Sequence, residues 1–322
     1  MDGITGLYDK LFEPIKRKGR AKTKKSSPSN SRRMARLSRI ALKAPEVMVK
    51  VSGTTKGSQH LSSHLDYITR NGKLEGENEF GQPISGRQDV KALHKDWLAD
   101  GSSRRRNSRE SINMVLSMPA GTPPASVLAA SRAFAEKSFA DNHQYLLVQH
   151  TDTKHPHCHL TIKALGIDGK RLNPRKADLQ EWREQFAGEL RTRGVVAEAT
   201  PRFIRGVTKK ATKQPILHMV KKGRSLVLRQ QIKEAIEDLR TDRSSEKPWK
   251  AALHDRREGV VSAWSDISQE LQKGGDTKLA SIVSRFINDF PDISTRRDDM
   301  QRQAVDRIKG GRDVDNEKQR ER

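Results

Sequence analysis

The 322-residue chain has one cysteine, three tyrosines and few apolar residues. A lone Cys158 excludes a disulfide framework and a cysteine-built zinc cluster. Hydrophobic residues make up 33% of the sequence, and adding its 22 glycines raises the share only to about 40%, below the ~45–50% of globular domains. Part of the chain is therefore expected outside any packed core, with one compact domain plus extensions. No run approaches the ~18–20 apolar residues of a membrane span, and no membrane insertion is expected. The opening MDGITGLYDKLFEPIKRK lacks the apolar stretch of a secretory signal, which gives the expectation of a soluble, intracellular protein.

Acidic residues are also short in supply. Forty Asp and Glu face sixty-three Lys and Arg, for a formal net charge of +23 and a pI near 10.2. Such a surface suits phosphate polymers, with nucleic acid the first candidate. Charge alone does not say whether the protein cuts, carries or coats its partner.

The chain divides by composition. Residues 1–45 hold thirteen Lys and Arg against three acids, and KRKGRAKTKKSSPSNSRR within them reads as a disordered basic arm. Residues 46–207 read as the folded domain, 208–225 as a basic linker, 226–292 as a helical region and 293–322 as a charged, disordered tail. Within the domain, VMVKVSG (47–53) alternates like a strand and SQHLSSHLDYITRNG follows as a helix with Asn71-Gly72 as its stop. SINMVLSMPAG (111–121) reads as a strand, and Pro123-Pro124 open a helix through SVLAASRAFAEKSFA. YLLVQH (145–150) and HCHLTIKAL (157–165) read as two strands joined by a turn, and DLQEWREQFAGELRTRG as an amphipathic helix. That order predicts an α+β fold with a central, mainly antiparallel β-sheet flanked by helices, followed by a helical C-terminal extension. Helices are expected over 226–240, 249–272 and 278–290.

Chemistry concentrates in HTDTKHPHCH, where four of the ten histidines fall within ten residues. On a strand His157 and His159 share one face with Thr161 and Lys163, while Cys158, Leu160 and Ile162 make the opposite, apolar face. The short connection lets His150 come alongside, and three converging imidazoles make a metal site. Cys158 is expected in the core, and His155 in the turn. Asp152 has three readings: a hydrogen-bond partner for a ligand imidazole, a proton acceptor, or an Asx-turn residue. Neutral imidazoles suit zinc or a later transition metal, whereas magnesium and manganese prefer oxygen ligands that a phosphate substrate would supply. Both readings stand on the residues alone.

Of Tyr8, Tyr67 and Tyr145, Tyr67 is the one to single out. Leu61, Leu65 and Ile68 form the apolar stripe of its helix, and Tyr67 lies roughly 120° off that stripe. Its phenol is free to face a cleft, or it is an ordinary surface tyrosine.

With LDYITRNGKLE on a helix, VLSMPAGT on a strand and HTDTKHPHCH on a hairpin, residues 47–207 resemble the conjugative DNA relaxases. These are mobilisation nucleases of the His-hydrophobe-His superfamily, and the resemblance is to their P-type mobilisation class. It implies a sheet of the relaxase and replication-initiator type and the covalent chemistry of a nicking endonuclease. Tyr67 matches the nucleophile that attacks a phosphodiester at a plasmid transfer origin, leaving a 5′-phosphotyrosyl bond that is later rejoined. His150, His157 and His159 match the metal triad, which takes Mg or Mn in relatives. Asp152 matches the acidic residue of the third motif, and Ser117 the second-motif serine set against DNA near the nick. Lys163, Arg171 and Arg175, following the triad, are expected to track the DNA backbone. The implied partners are single-stranded or melted DNA at a transfer origin, relaxosome accessory proteins and a type IV coupling protein. The implied location is the bacterial cytoplasm, with passage to a recipient attached to DNA. Rival readings are a rolling-circle replication initiator with the same chemistry, a non-catalytic relaxosome DNA-binding protein, and a nucleic-acid-binding module with a structural zinc. The basic stretch before the first strand and the helical C-terminal part have no counterpart in the resemblance.

Overall fold

A computed structural model describes residues 2–12, 28–99, 108–209, 214–222, 224–240 and 248–302. In chain order the elements are α1 (Asp2–Phe12), α2 (Asn30–Ala41), β1 (Met48–Lys56), α3 (Gly57–Ile68), β2 (Gly76–Asn78), β3 (Pro83–Ile84), α4 (Gly86–Leu98) and β4 (Arg109–Ser117). Then come α5 (Pro124–Ala135), which runs on into a π-helical turn at Glu136–Ala140, β5 (Tyr145–His150), β6 (His157–Lys163) and α6 (Lys176–Thr192). The remainder is helical: α7 (Gln214–Lys221), α8 (Leu226–Arg240), α9 (Pro248–Lys273) and α10 (Thr277–Asn288). The chain forms two compact units, residues 43–199 and residues 1–42 together with 200–322.

In the first unit six strands pair antiparallel throughout, in the order β1-β4-β6-β5-β2-β3. Alternation gives the sheet two faces. Ile112, Met114 and Leu116 of β4, Tyr145 and Leu147 of β5, and Cys158, Leu160 and Ile162 of β6 pack with Val127, Ala130 and Phe134 of α5 and Phe186 and Leu190 of α6. Across the sheet, Leu146 and Val148 of β5 pack with Leu61, Leu65 and Ile68 of α3 and Val90 and Trp97 of α4. Helices thus cover both faces of one sheet. Each fully buried Leu, Ile or Phe contributes roughly 1.5–3 kcal/mol of transfer free energy, so both faces hold their helices firmly.

The α+β architecture is the one expected. Residues 73–110 carry β2, β3 and α4, none of which the pattern announced, because strands of two and three residues are too short to show alternation. After α3 the backbone is left-handed at Arg70, Asn71 and Gly72 in succession. Gly72 sits so close to the start of α4 that a Cβ there would lie 2.5 Å from the carbonyl carbon of Gly86, which excludes any side chain.

The second unit has its own core, in which Tyr8 and Leu11 of α1 and Leu37 and Ile40 of α2 pack with Val260, Trp264 and Ile267 of α9 and Val283 and Phe286 of α10. Two stretches of the presumed N-terminal arm are therefore helices. Ile4, Leu7, Tyr8 and Leu11 recur at helical spacing, a pattern that the surrounding basic residues obscure. The most basic stretch, residues 16–27, lies outside the described residues. The presumed linker over 208–225 contains α7. In the presumed tail, residues 293–302 are held down: Lys250 pairs with Asp298 at 3.2 Å, and Gln301 donates to the Ala235 carbonyl at 3.3 Å. Residues 303–322 lie outside the described residues.

Candidate metal centre and nucleophile

β5 and β6 are antiparallel neighbours, with His150 directly opposite His157 and Val148 opposite His159. Opposed residues project to the same side of a sheet, so the hairpin itself gathers the three imidazoles at one end of the α3 face. Their ring centroids are 4.3 Å apart for His150–His159, 5.4 Å for His150–His157 and 5.3 Å for His157–His159. One ligating nitrogen from each lies within 4.8 Å of the others, and among the described residues this is the one such cluster.

The donor set fits a divalent ion. His150, 2% exposed, donates from Nε2 to the carbonyl of Ile68 at 2.6 Å, which fixes its tautomer and leaves the Nδ1 lone pair free. His157 donates from Nδ1 to the carbonyl of His155 at 3.0 Å, leaving Nε2. Anchoring the second ring nitrogen in this way is characteristic of metal-ligating histidines. Burial, with the neighbouring histidines, pushes His159 down to about 3. Burial also lowers His150, joined by the charges of Arg70 and His157 and opposed by its hydrogen bond to Ile68 and by Asp152. Both imidazoles are thereby kept neutral and able to ligate.

Tyr67 is in the last turn of α3, off the buried stripe of Leu61, Leu65 and Ile68, and is 58% exposed. Its ring stands edge-on to His159 with centroids 6.1 Å apart. The other two tyrosines are buried. Tyr8 accepts a hydrogen bond from Arg36 at 3.2 Å, and burial pushes Tyr145 up to about 12. Of the three phenols only that of Tyr67 is open to a substrate.

Arg70 was not singled out from the sequence. Its left-handed backbone turns the guanidinium back over the Tyr67 ring, 5.7 Å from the centroid, and it forms an ion pair with Asp152. A non-glycine residue in that conformation costs roughly 1–2 kcal/mol. Asp152 therefore meets a cation from the turn that follows the tyrosine helix. Its signal in the sequence was faint, a single Arg three residues after the tyrosine.

Other expected site residues are placed differently. Ser117 lies across from His157 on β4, but it is only 4% exposed and its hydroxyl donates to the Pro156 carbonyl at 3.2 Å. It anchors the turn that leads into His157, on the same side of the sheet as the triad. Lys163 is six residues along β6 from His157, about 20 Å at strand rise, and donates to Gln144 at 2.8 Å. Arg171 donates to the carbonyl of Arg109, at the start of β4, at 2.6 Å. Arg175 precedes α6, its backbone N–H donating to Asp178 at 2.7 Å. Arg171 thus joins Lys163 at the sheet end remote from the triad. Cys158 is fully buried, and burial pushes its thiol up to about 11, which removes it as a ligand or nucleophile. His155 is in the turn, as expected.

An antiparallel sheet between helices thus sets a histidine triad that could hold a metal ion beside an exposed tyrosine. Residues 67–192 match the family model described as relaxase, MobA/VirD2-like, nuclease domain. The T-DNA border endonuclease VirD2 of Rhizobium radiobacter is 23% identical over 249 residues, covering 66% of this chain and 58% of that protein. The protein of the same name from Rhizobium rhizogenes is 27% identical over 184 residues, 50% of this chain and 42% of that one. The 43 kDa relaxation protein of Salmonella typhimurium is 26% identical over 178 residues, 52% and 46% of the respective chains. The chain spans about half the length of the curated relatives it matches. A solved structure from work on the molecular basis of vancomycin resistance transfer in Staphylococcus aureus aligns with 49% of this chain and 98% of its own at 15% identity. Its TM-score is 0.34, too low to bear on the fold. No helix among the described residues is long and apolar enough to cross a membrane.

Proposed function

We propose that the protein nicks one strand of DNA at a transfer origin by transesterification, with Tyr67 as nucleophile. The observation that carries this reading is the exposed Tyr67 ring edge-on to His159 of the triad, 6.1 Å between centroids. A divalent ion on His150, His157 and His159, Mg or Mn by the resemblance and Zn by the donor set, supplies Lewis-acid stabilisation of charge building on the scissile phosphate. The Tyr67 oxygen attacks phosphorus in line; the new phenolic O–P bond forms as the bond to the 3′-oxygen breaks. The phenolic proton passes to the water that reaches this exposed ring, and the departing oxygen takes one up to become a 3′-hydroxyl. The 5′-phosphotyrosyl bond keeps the bond energy for rejoining. Arg70, held over the ring by Asp152, offsets negative charge at the attacking oxygen. Asp152 thus acts as a positioning residue, its carboxylate already engaged by a guanidinium. The substrate is single-stranded or melted DNA, the partners are accessory proteins and a type IV coupling protein, and the site of action is the bacterial cytoplasm.

The test is a labelled single-stranded oligonucleotide set covering the candidate origin. It is incubated with wild type and Tyr67→Phe, in Mg, Mn or EDTA, and resolved on a denaturing gel. An SDS-stable adduct that needs metal and vanishes in Tyr67→Phe is expected. Cutting with no adduct would instead indicate a metal-water nuclease, and an adduct persisting in the variant would remove Tyr67 as nucleophile.

A further inference from the structure

The helical unit contains a cationic groove that the nicking chemistry does not use. It forms where the turn after residue 200 faces α9, lined by Arg202, Phe203 and Gly206 on one side and Leu253, Arg256 and Arg257 on the other. Two of its arginines are propped in place. Arg256 lies over the face of Phe203, 4.0 Å from the ring centroid. Arg257 lies 4.4 Å over Phe290, and donates to the carbonyls of Gly206 and, at 2.9 Å, Pro291. Gly206 permits this approach: it is left-handed at φ +68°, and a Cβ there would overlap the Arg257 guanidinium and the Phe290 ring.

Among the described residues the groove's charge is only partly compensated. Among the described residues Arg202 and Arg256 have no carboxylate partner. Burial and the adjacent Arg202 pull Arg256 below the ordinary arginine range, while Arg257 feels a single acid, Asp292. Crowding like charges costs the fold free energy that a bound oxyanion recovers. A guanidinium stacked on an aromatic face keeps its N–H edge free for a planar, two-point contact with phosphate oxygens.

We propose that this groove holds a backbone phosphate of a DNA strand, giving the helical unit its own nucleic-acid contact. The choice of DNA as the source of that phosphate rests on the nicking reading; the oxyanion chemistry does not.

The test compares the full-length wild type with Arg202→Gln/Arg256→Gln and with a charge-matched control, Lys278→Gln/Arg285→Gln, two exposed residues of α10. Binding of a labelled single-stranded oligonucleotide is followed by anisotropy across a salt series. Each lost phosphate contact on a single strand removes about 0.7 from the slope of log K against log salt. The groove variant is expected to show a slope shallower by about 0.7–1.4 and an affinity about fivefold or more below the control at low salt. Equal slopes and affinities in the two variants would overturn the proposal. Heat stabilisation of the wild type but not the groove variant by inorganic phosphate, with oligonucleotide binding equal in both, would assign the groove to free phosphate and overturn it as well. Adduct formation at saturating oligonucleotide reports on Tyr67 separately, so a failure of the nicking reading is distinguishable from a failure here.

Discussion

His150 donates from Nε2 to the carbonyl oxygen of Ile68 at 2.6 Å, which ties a candidate metal ligand to the residue next to the candidate nucleophile. That carbonyl belongs to the last turn of α3, where the helix leaves its own acceptors unpaired. One imidazole thus does two things: it closes the end of the tyrosine helix and presents its other nitrogen to the triad. The position of Tyr67 is coupled to the hairpin through this bond and through the Arg70–Asp152 ion pair.

This coupling predicts unequal costs for the two hairpin histidines. Without metal, His150→Ala leaves a buried carbonyl unpaired and is expected to destabilise the protein by about 1–3 kcal/mol. His157→Ala is expected to cost under about 1 kcal/mol, because that ring is half-exposed and its partner is a turn carbonyl. Urea unfolding in EDTA checks the difference; equal costs would mean that the His150–Ile68 bond contributes nothing.

Metal should appear as stability. Adding Mn to the EDTA-treated wild type is expected to raise the melting temperature in a concentration-dependent way, the added stability reaching about 2.7 kcal/mol at a hundredfold excess over the dissociation constant. His157→Ala and His159→Ala should lose that response. A thermal-shift titration reads it directly, and a shift that survives in both variants would place the ion elsewhere.

Arg70 and Asp152 are both about half-exposed on their side chains, so their pairing is worth under about 1 kcal/mol of stability. Arg70→Gln is nevertheless expected to slow adduct formation by about tenfold to a hundredfold, consistent with loss of charge stabilisation at a reacting oxygen. Asp152→Asn should slow it less. In single-turnover assays the double variant should be no slower than Arg70→Gln alone; fully multiplicative effects would show that the two residues act independently.

His64 lies on α3 against the sheet, its Nε2 2.9 Å from the Thr161 hydroxyl. Burial, helped by the charge of His60, pushes it from 6.5 down to about 4. A histidine lowered in the folded state stabilises the fold above its unfolded value. That contribution is lost as pH falls from about 6.5 toward 4, because only the unfolded chain binds the proton there. The urea midpoint of the metal-free protein should decline across that window, and His64→Gln should make the decline shallower. An unchanged slope would mean that His64 is neither buried nor held neutral in solution.

Leu65 is fully buried between α3 and the sheet. Leu65→Ala is expected to cost about 2–5 kcal/mol, and the loosened helix should lower the adduct rate even at temperatures where the protein stays folded. Circular dichroism melts beside adduct assays at low temperature separate the two effects.

Much of the site was readable because strand alternation is local. His157 and His159 two residues apart must share a face, Cys158 between them must face the other way, and Leu61, Leu65 and Ile68 must line one side of a helix that leaves Tyr67 off it. What escaped was set by contacts remote in sequence. Arg70 gains its place from a left-handed turn and from a partner 82 positions later. Ser117 is buried by the turn it supports, and Lys163 and Arg171 follow the triad in sequence but leave it in space, because a strand carries the chain away at about 3.3 Å per residue.

The sequence by itself supplied the residues of the candidate site: a basic chain, His157 and His159 sharing a strand face with His150 close before them, and one tyrosine off its helix's apolar stripe. Only the tertiary structure decided which phenol is open, which nitrogens of His150 and His157 are free, and that helices from both ends of the chain share a core. Those are outcomes of burial and of hydrogen bonds between distant segments. A local pattern can supply the residues for such contacts, but packing alone brings the partners together.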